Sequence, residues 1–385
     1  MIKQEINELK RLYTPSNCSI TRICGCYVDG EKNKKTEFKE AFLSLPEEEI
    51  FKYFELLRKT LSGSLGKNLL NLDFPLASEQ EGGTQAALLA LRDSKLKDDA
   101  LIEEFYDRVI NTYEYVGNYL ILLIHDAYDV PGKTTDGLTM DDASDTVFEY
   151  IMCCICPVNL SKPGLSYDNI NNEFHNRIRD WVVEMPETGF LFPSFNDRAT
   201  DIHSTLFYSK NPEEAHSEFV ENILGCTMPL SAGTQKEAFQ ALIEETLGDE
   251  VEYEVVKNIH ENLTEMIEEH KEIPEPLTLD KNQVKSLFEK SGIKEEKLTD
   301  FDKLYDAAAG EDTSLFVNNV ANVRTFEVKT PDVVVKVNPE RADLVNTLQI
   351  DGKRCLVIEI NDHVEVNGIT IHQGVSLEDV ADEEE

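Results

Sequence analysis

The chain has 385 residues, 41% of them hydrophobic and 29% charged, which is enough apolar material for a sizeable core and too much for a disordered chain. Its 37 basic residues against 74 acidic ones leave a formal charge of −37, so nucleic-acid phosphates and anionic lipid are repelled and general binding to either is disfavoured. No apolar run approaches the roughly 18 residues of a bilayer span, and Met1–Lys10 carries no apolar signal segment, so a cytoplasmic protein with reduced, buried thiols is predicted.

The length predicts two or three domains at roughly 150 residues each. Ile6, Leu9 and Leu12 at helical spacing predict a short helix over 3–13, stopped by Pro15. A β-branched, alternating run over 19–28 predicts a strand. Asp29-Gly30 turns it back into a partner over 36–43. Pro46 followed by three glutamates opens a helix whose buried stripe is Phe51, Phe54, Leu57 and Leu61. After the break at 63–68 come a strand over 69–74, a loop over 78–84, and helices over 84–92 and 97–115. Gly117 caps the last of these.

The stretch 117–202 is the predicted core. Its two apolar runs, 118–130 and 146–158, read as neighbouring buried strands joined by a polar loop. Trp181 and the aromatic segment 189–195 join that core, with strands over 181–192 broken at Pro186, and another over 200–209. The predicted class is α+β, a central antiparallel or mixed sheet flanked by helices; the simplest arrangement puts the helices on one face. From 211 the chain turns helical and acidic, with helices over 212–224, 234–247 and 252–271. This gives a main domain over 1–272 and a linker over 273–277, stiffened by Pro274 and Pro276. A smaller C-terminal α+β domain over 278–372 would hold helices at 280–290 and 295–308, then a β-meander from 325 with turns at Asp351-Gly352 and Asn367-Gly368. An acidic, disordered tail closes the chain over 373–385.

Complete catalytic motifs do not emerge. Gly63-Ser-Leu-Gly-Lys67 lacks the earlier glycine and the following Ser or Thr of a phosphate-binding loop, and it follows a helix instead of a strand. The same residues have the Ser-x-x-Lys spacing without its companion motifs, and read better as a helix-ending turn. Cys24 and Cys26 on one strand with Cys154 and Cys156 on another would supply four thiolates to a zinc ion, against the simpler reading of small buried hydrophobes.

The polar ends of the central strands are more suggestive. His125, Asp126 and Asp129 end the first apolar run, with Asp136, Asp141, Asp142 and Asp145 in the loop behind it. His175, Arg177, Arg179 and Asp180 precede Trp181. Asp197, Arg198, Asp201 and His203 follow the aromatic segment. Carboxylates and imidazoles gathered in this way can hold a divalent cation and activate water, and the arginines suit a phosphate or carboxylate. The simpler alternative is that they cap turns and pair with one another. In the second domain, 330–341 has prolines at both ends of a short strand and predicts a sheet edge.

Several of these stretches resemble a known family. They are Ser19–Val28, Leu61–Leu69, Gly117–Pro131, Cys156–Pro163, Asp180–Val183, Gly189–Pro193, Asn196–Thr200 and Thr330–Arg341. The chain resembles a bacterial family of acidic, soluble proteins of roughly 400 residues, known as a domain of unknown function. The likeness spans nearly the whole chain and implies no particular activity, cofactor or catalytic residue.

The leading expectation is a non-catalytic cytoplasmic protein that binds a partner or small ligand through the 125–203 region, at His125, Asp126, Asp129, His175, Arg177, Arg179, Asp197, Arg198 and His203. One alternative is a metal-dependent hydrolase acting on phosphoesters through His125, Asp126, Asp129 and His175. Another has the acidic helices over 212–271 dock a basic protein or mimic nucleic acid. Cofactor and oligomeric state are left open.

Overall fold

The computed structural model describes residues 1–133, 139–140, 146–214, 216–248, 251–322, 325–359, 364–366 and 369–371. Asp136, Asp141, Asp142, Asp145, the Asn367-Gly368 turn and the 373–385 tail lie outside the described residues. The chain forms two compact units, one of residues 1–238 with 271–278 and one of residues 239–270 with 279–385. Both prolines of the expected linker lie in the 271–278 stretch of the first unit.

The first unit is built on an antiparallel sheet. Its strands are β1 (Arg22–Val28), β2 (Lys34–Ala41), β3 (Leu69–Asp73), β4 (Asn118–Val130) and β5 (Thr146–Leu160). Two short strands, β6 (Leu165–Asp168) and β7 (Glu173–Asn176), form a hairpin of their own. Then come β8 (Trp181–Val183), β9 (Thr188–Phe192), β10 (Ser194–Asn196), β11 (Ala199–Asp201) and β12 (Ser204–Ser209), of which β10 and β11 pair only with each other among the described residues. The sheet runs β2-β1-β4-β5-β9-β12-β3, with β8 paired to the far end of β5 beyond β9. The long strands β4 and β5 pair from Asn118↔Val158 to Val130↔Thr146, as neighbours in the way their apolar runs suggest.

Helices cover both faces of this sheet, not one. Successive side chains of a strand point to opposite faces. On β4, Ile121 and Leu123 enter one core, while Leu120, Leu122 and Ile124 enter another. On β5, Ile151, Cys153 and Ile155 take the first side; Tyr150, Met152, Cys154 and Cys156 take the second. The first core is closed by α3 (Thr84–Asp93), α4 (Asp99–Thr112) and the turn at 219–224; the second by α1 (Lys3–Lys10) and α2 (Glu47–Thr60). The physical reason is in the runs themselves: strands covered on one face alternate, whereas these are apolar at almost every position.

The helix expected over 212–224 is reduced to Ser217–Phe219 and a wide turn at Val220–Leu224, ended by Gly225 with a left-handed φ of 71°. In the second unit α5 (Tyr253–Glu269), α6 (Lys281–Lys290) and α7 (Phe301–Ala308) surround Phe239, Phe288 and Phe301, whose rings meet edge-on. Asp280 caps α6, accepting from the Gln283 N–H at 2.8 Å, while Gln283 reaches back to the Asp280 N–H. The strands expected as a meander are three separate pairs: 326–329 with 334–337, 345–350 with 353–358, and 364–366 with 369–371. The 330–341 stretch thus supplies one strand of a two-stranded pair.

Candidate functional site

The structure disperses the polar residues of the strand ends. His125 and Asp126 are adjacent on β4, so they project to opposite faces, and each is fully buried. The His125 Nδ1 lies 2.9 Å from the Thr21 hydroxyl, and its Nε2 is a buried atom with no hydrogen-bond partner among the described residues. Glu149 Oε2 is 4.0 Å from that Nε2, but its carboxylate is engaged by Lys95 at 2.8 Å. Burial pushes the His125 pKa down to about 4, so the ring is neutral at ordinary pH.

On the other face Asp126 sits in a closed polar knot. The Tyr150 hydroxyl donates to Asp126 Oδ2 at 2.8 Å, and the Ala127 N–H to Oδ1 at 2.8 Å. Tyr13 and Tyr150 share a hydroxyl–hydroxyl bond of 3.0 Å. Burial raises the Asp126 carboxyl above the usual carboxylate range, while its hydrogen bonds from Ser19, Tyr150 and Ala127 pull it back. These groups satisfy one another inside the core between sheet and α1–α2, which is what a buried polar network needs to be stable.

The remaining residues fall into separate places. Asp129 is exposed near the end of β4. Asp197 and Arg198, with φ of 51° and 57°, form the two-residue turn between β10 and β11. Arg198 is an anchor: its guanidinium lies 3.0 Å from Glu8 Oε1 and donates to the Pro131 carbonyl at 3.0 Å, and its N–H donates to Glu5 Oε1. Glu5 also accepts the Ile2 N–H at 2.7 Å, so this hairpin is tied to the first turn of α1. His203 is exposed and bonded to Glu79 at 2.6 Å, which raises its pKa. Asp129 and His175, the other two members of the expected metal quartet, are on the surface. No group of three or more His, Cys, Asp or Glu side chains placed to share a metal ion occurs among the described residues.

The four-thiolate arrangement is also corrected. Cys24 and Cys26 face the α3–α4 core, whereas Cys154 and Cys156 face the α1–α2 core. The register explains it: Cys24 opposes Leu123, Leu123 opposes Cys153, and Cys154 is therefore turned the other way. Burial pushes the Cys24 thiol up to about 11 and those of Cys26 and Cys154 to about 12, so they stay protonated. The Ser64–Lys67 stretch is a tight turn, with the N–H groups of Lys67, Asn68 and Leu69 all directed at the Ser64 carbonyl.

A family model described as Domain of unknown function (DUF4317) matches residues 1–369. The chain belongs to this family. No curated protein matches it.

The surface has one unusual feature, and it includes His175, Arg177 and Arg179. Between Ser161 and Met185 the chain leaves the sheet, forms the β6–β7 hairpin, and returns as β8. Every residue from 169 to 185 is exposed. The hairpin is well specified locally: Tyr167 opposes Phe174 with ring centroids 5.2 Å apart, and the Asp168 carboxylate accepts the Ile170 and Asn171 N–H groups in the turn. At its base the Arg177 N–H donates to the Gly164 carbonyl at 2.9 Å, and Arg179 Nε donates to the Ser161 carbonyl at 2.6 Å. Arg179 is thus spent on holding the arm's own base together.

Apart from Trp181 and the start of the strand expected over 181–192, the apolar residues of this arm were not singled out by sequence. Trp181 was expected in the core, yet it is 55% exposed. Leu165, Tyr167, Ile170, Phe174 and Ile178 are scattered among Asn, Ser, Gly and Pro residues, which reads as a loop. The available signal was their weak alternation around Asp168-Asn-Ile-Asn-Asn172, a turn-rich segment between two short runs. A surface cleft of about 280 Å³ lies elsewhere, lined in part by Tyr113, Glu114, His216 and Glu218, and holds none of the expected residues.

Proposed function

We propose that this protein is a protein-binding module whose contact element is the 161–185 arm. The observation that carries this reading is the exposure of Ile170 (89%), Ile178 (79%), Leu165 (76%) and Phe174 (70%) on one projecting segment. Large apolar side chains exposed together on one short segment are a mark of an interaction site. A two-stranded hairpin is marginal in water without a covering layer, so an arm whose described hydrogen bonds lie within its own turn and base is suited to being completed by a partner. His175 and Arg177 stand on the same arm and would add polar contacts at the rim of such an interface.

A cytoplasmic setting is part of this proposal. It is supported by eight cysteines that are all free thiols, most of them buried in the two cores. No helix among the described residues is long and apolar enough to cross a membrane.

The test is site-specific photo-cross-linking in cells, with a photoreactive residue in place of Ile170 or Phe174 and, as a control, in place of exposed Lys97. Adducts with protein from the arm positions, lost on adding Trp181→Asp, are expected. A cross-linking pattern no different from that of the Lys97 control would refute the assignment.

A further inference from the structure

We infer that the partner of the arm is a second copy of this chain, joined through a two-fold contact of β8 and the β6–β7 hairpin. This rests on the arm being a contact element, and it adds the identity of what covers it. Three observations point to the same occupant.

The first is charge. The arm carries Lys162, Arg177 and Arg179 against Asp168, Glu173, Asp180 and Glu184, a net charge of −1 on a chain of −37. The chain as a whole is strongly acidic, whereas two copies meeting through the arm meet on nearly neutral ground that carries both signs. The second is the strand edge. β8 pairs with Val158–Leu160 on one side, and no strand lies on its other side among the described residues. An open antiparallel edge is self-complementary, because a strand and its two-fold copy pair antiparallel by symmetry. Trp181, Val182 and Val183, all exposed, would then be covered from both sheets. The third is area. The large apolar side chains of the arm leave on the order of 900 Å² uncovered, taking about 150–250 Å² for a whole large side chain, and a standard interface takes about 800 Å² per partner.

The same charge makes the contact behave in a recognisable way. The acidic bodies repel, and salt screens that repulsion. Self-association through a neutral apolar arm should therefore tighten as salt rises, the reverse of an acidic protein docking a basic one.

Light scattering on the purified full chain, from about 1 to 100 µM in low and high NaCl, reads this directly. The expected result is a shift from 43.7 kDa to twice that mass, several-fold tighter at high salt. Trp181→Asp and, separately, Phe174→Asp should abolish the shift while leaving far-ultraviolet circular dichroism and the melting temperature unchanged. A monomer at all concentrations in high salt overturns the inference, as does a dimer that both variants leave unchanged. If the chain stays monomeric while arm cross-links reach other proteins, only the identity of the partner falls. If neither association is found, the arm fails as a contact element too.

Discussion

The two ends of β5 make an instructive contrast. From Phe148 to Val158 its side chains are buried with the single exception of half-buried Glu149, between α3–α4 on one face and α1–α2 on the other. From Asn159 onward the same strand emerges, and the arm that follows exposes Leu165, Ile170 and Phe174 as fully as polar residues. Both regions contain large apolar side chains. What differs is continuity: an unbroken run recruits a covering layer on each face, whereas apolar residues spaced by Asn, Asp and Ser form a local hairpin without one.

The sharpest way to break this contrast is to remove matched bulk from each region. Ile121→Ala, at a side chain with no exposure in the α3–α4 core, should cost about 2–5 kcal/mol in chemical denaturation. Ile170→Ala should change the stability of the monomer by less than about 0.5 kcal/mol, since it empties no cavity. A comparable cost at the two positions would show that the arm is packed against the body after all.

Acid should act on the buried region through His125. An unfolded histidine takes its proton near the ordinary 6.5, but the folded ring takes it only at about 4. Between those values the unfolded chain binds more protons, so stability falls as pH drops, by roughly 3 kcal/mol over the full window. His125→Gln should flatten that limb of a pH series of unfolding midpoints; an unchanged slope would show that the ring titrates normally. Asp126 contributes with the opposite sign. Its raised carboxyl favours folding below the ordinary carboxylate range, and that contribution is lost as pH rises through the folded pKa.

A smaller effect is expected in the polar knot. Tyr150→Phe removes the 2.8 Å donor to Asp126 and the bond to Tyr13, leaving a buried acceptor short of a partner. The expected loss is about 1–3 kcal/mol. A neutral outcome in thermal melts would mean that a water or a shifted side chain replaces the hydroxyl. The mildest change is on the arm itself: Arg179→Gln, which gives up the bond to the Ser161 carbonyl, should leave the melting temperature of the sheet unchanged while raising amide exchange over 161–180.

Much of the fold was legible because its signals are local. The β4 and β5 runs, the Asp29-Gly30 turn and the acidic start of α2 each specify their element from a few neighbouring residues. The covering of both sheet faces was also written in those runs, since they do not alternate, but it becomes plain only when the helices are assigned to sides. The candidate site was harder. His125 and Asp126 look like a pair in sequence and are separated by the whole thickness of the sheet, because consecutive strand residues face opposite ways. The Cys24/Cys26 and Cys154/Cys156 pairs fail to meet for the same reason, since a register shift of one residue decides which face each thiol occupies.

Composition, charge, the order and type of most elements, the α+β class and membership of the family were in the sequence alone. Those depend on side-chain periodicity and turn chemistry within a few residues. Only the tertiary structure decided which polar groups are buried, which face each cysteine takes, and that Trp181 and its neighbours stand in solvent. These are contacts between residues as far apart as Tyr13 and Tyr150 or Glu8 and Arg198. They are set by strand register and by which helix lies over each face; a run that does not alternate says that both faces are covered, but not by what.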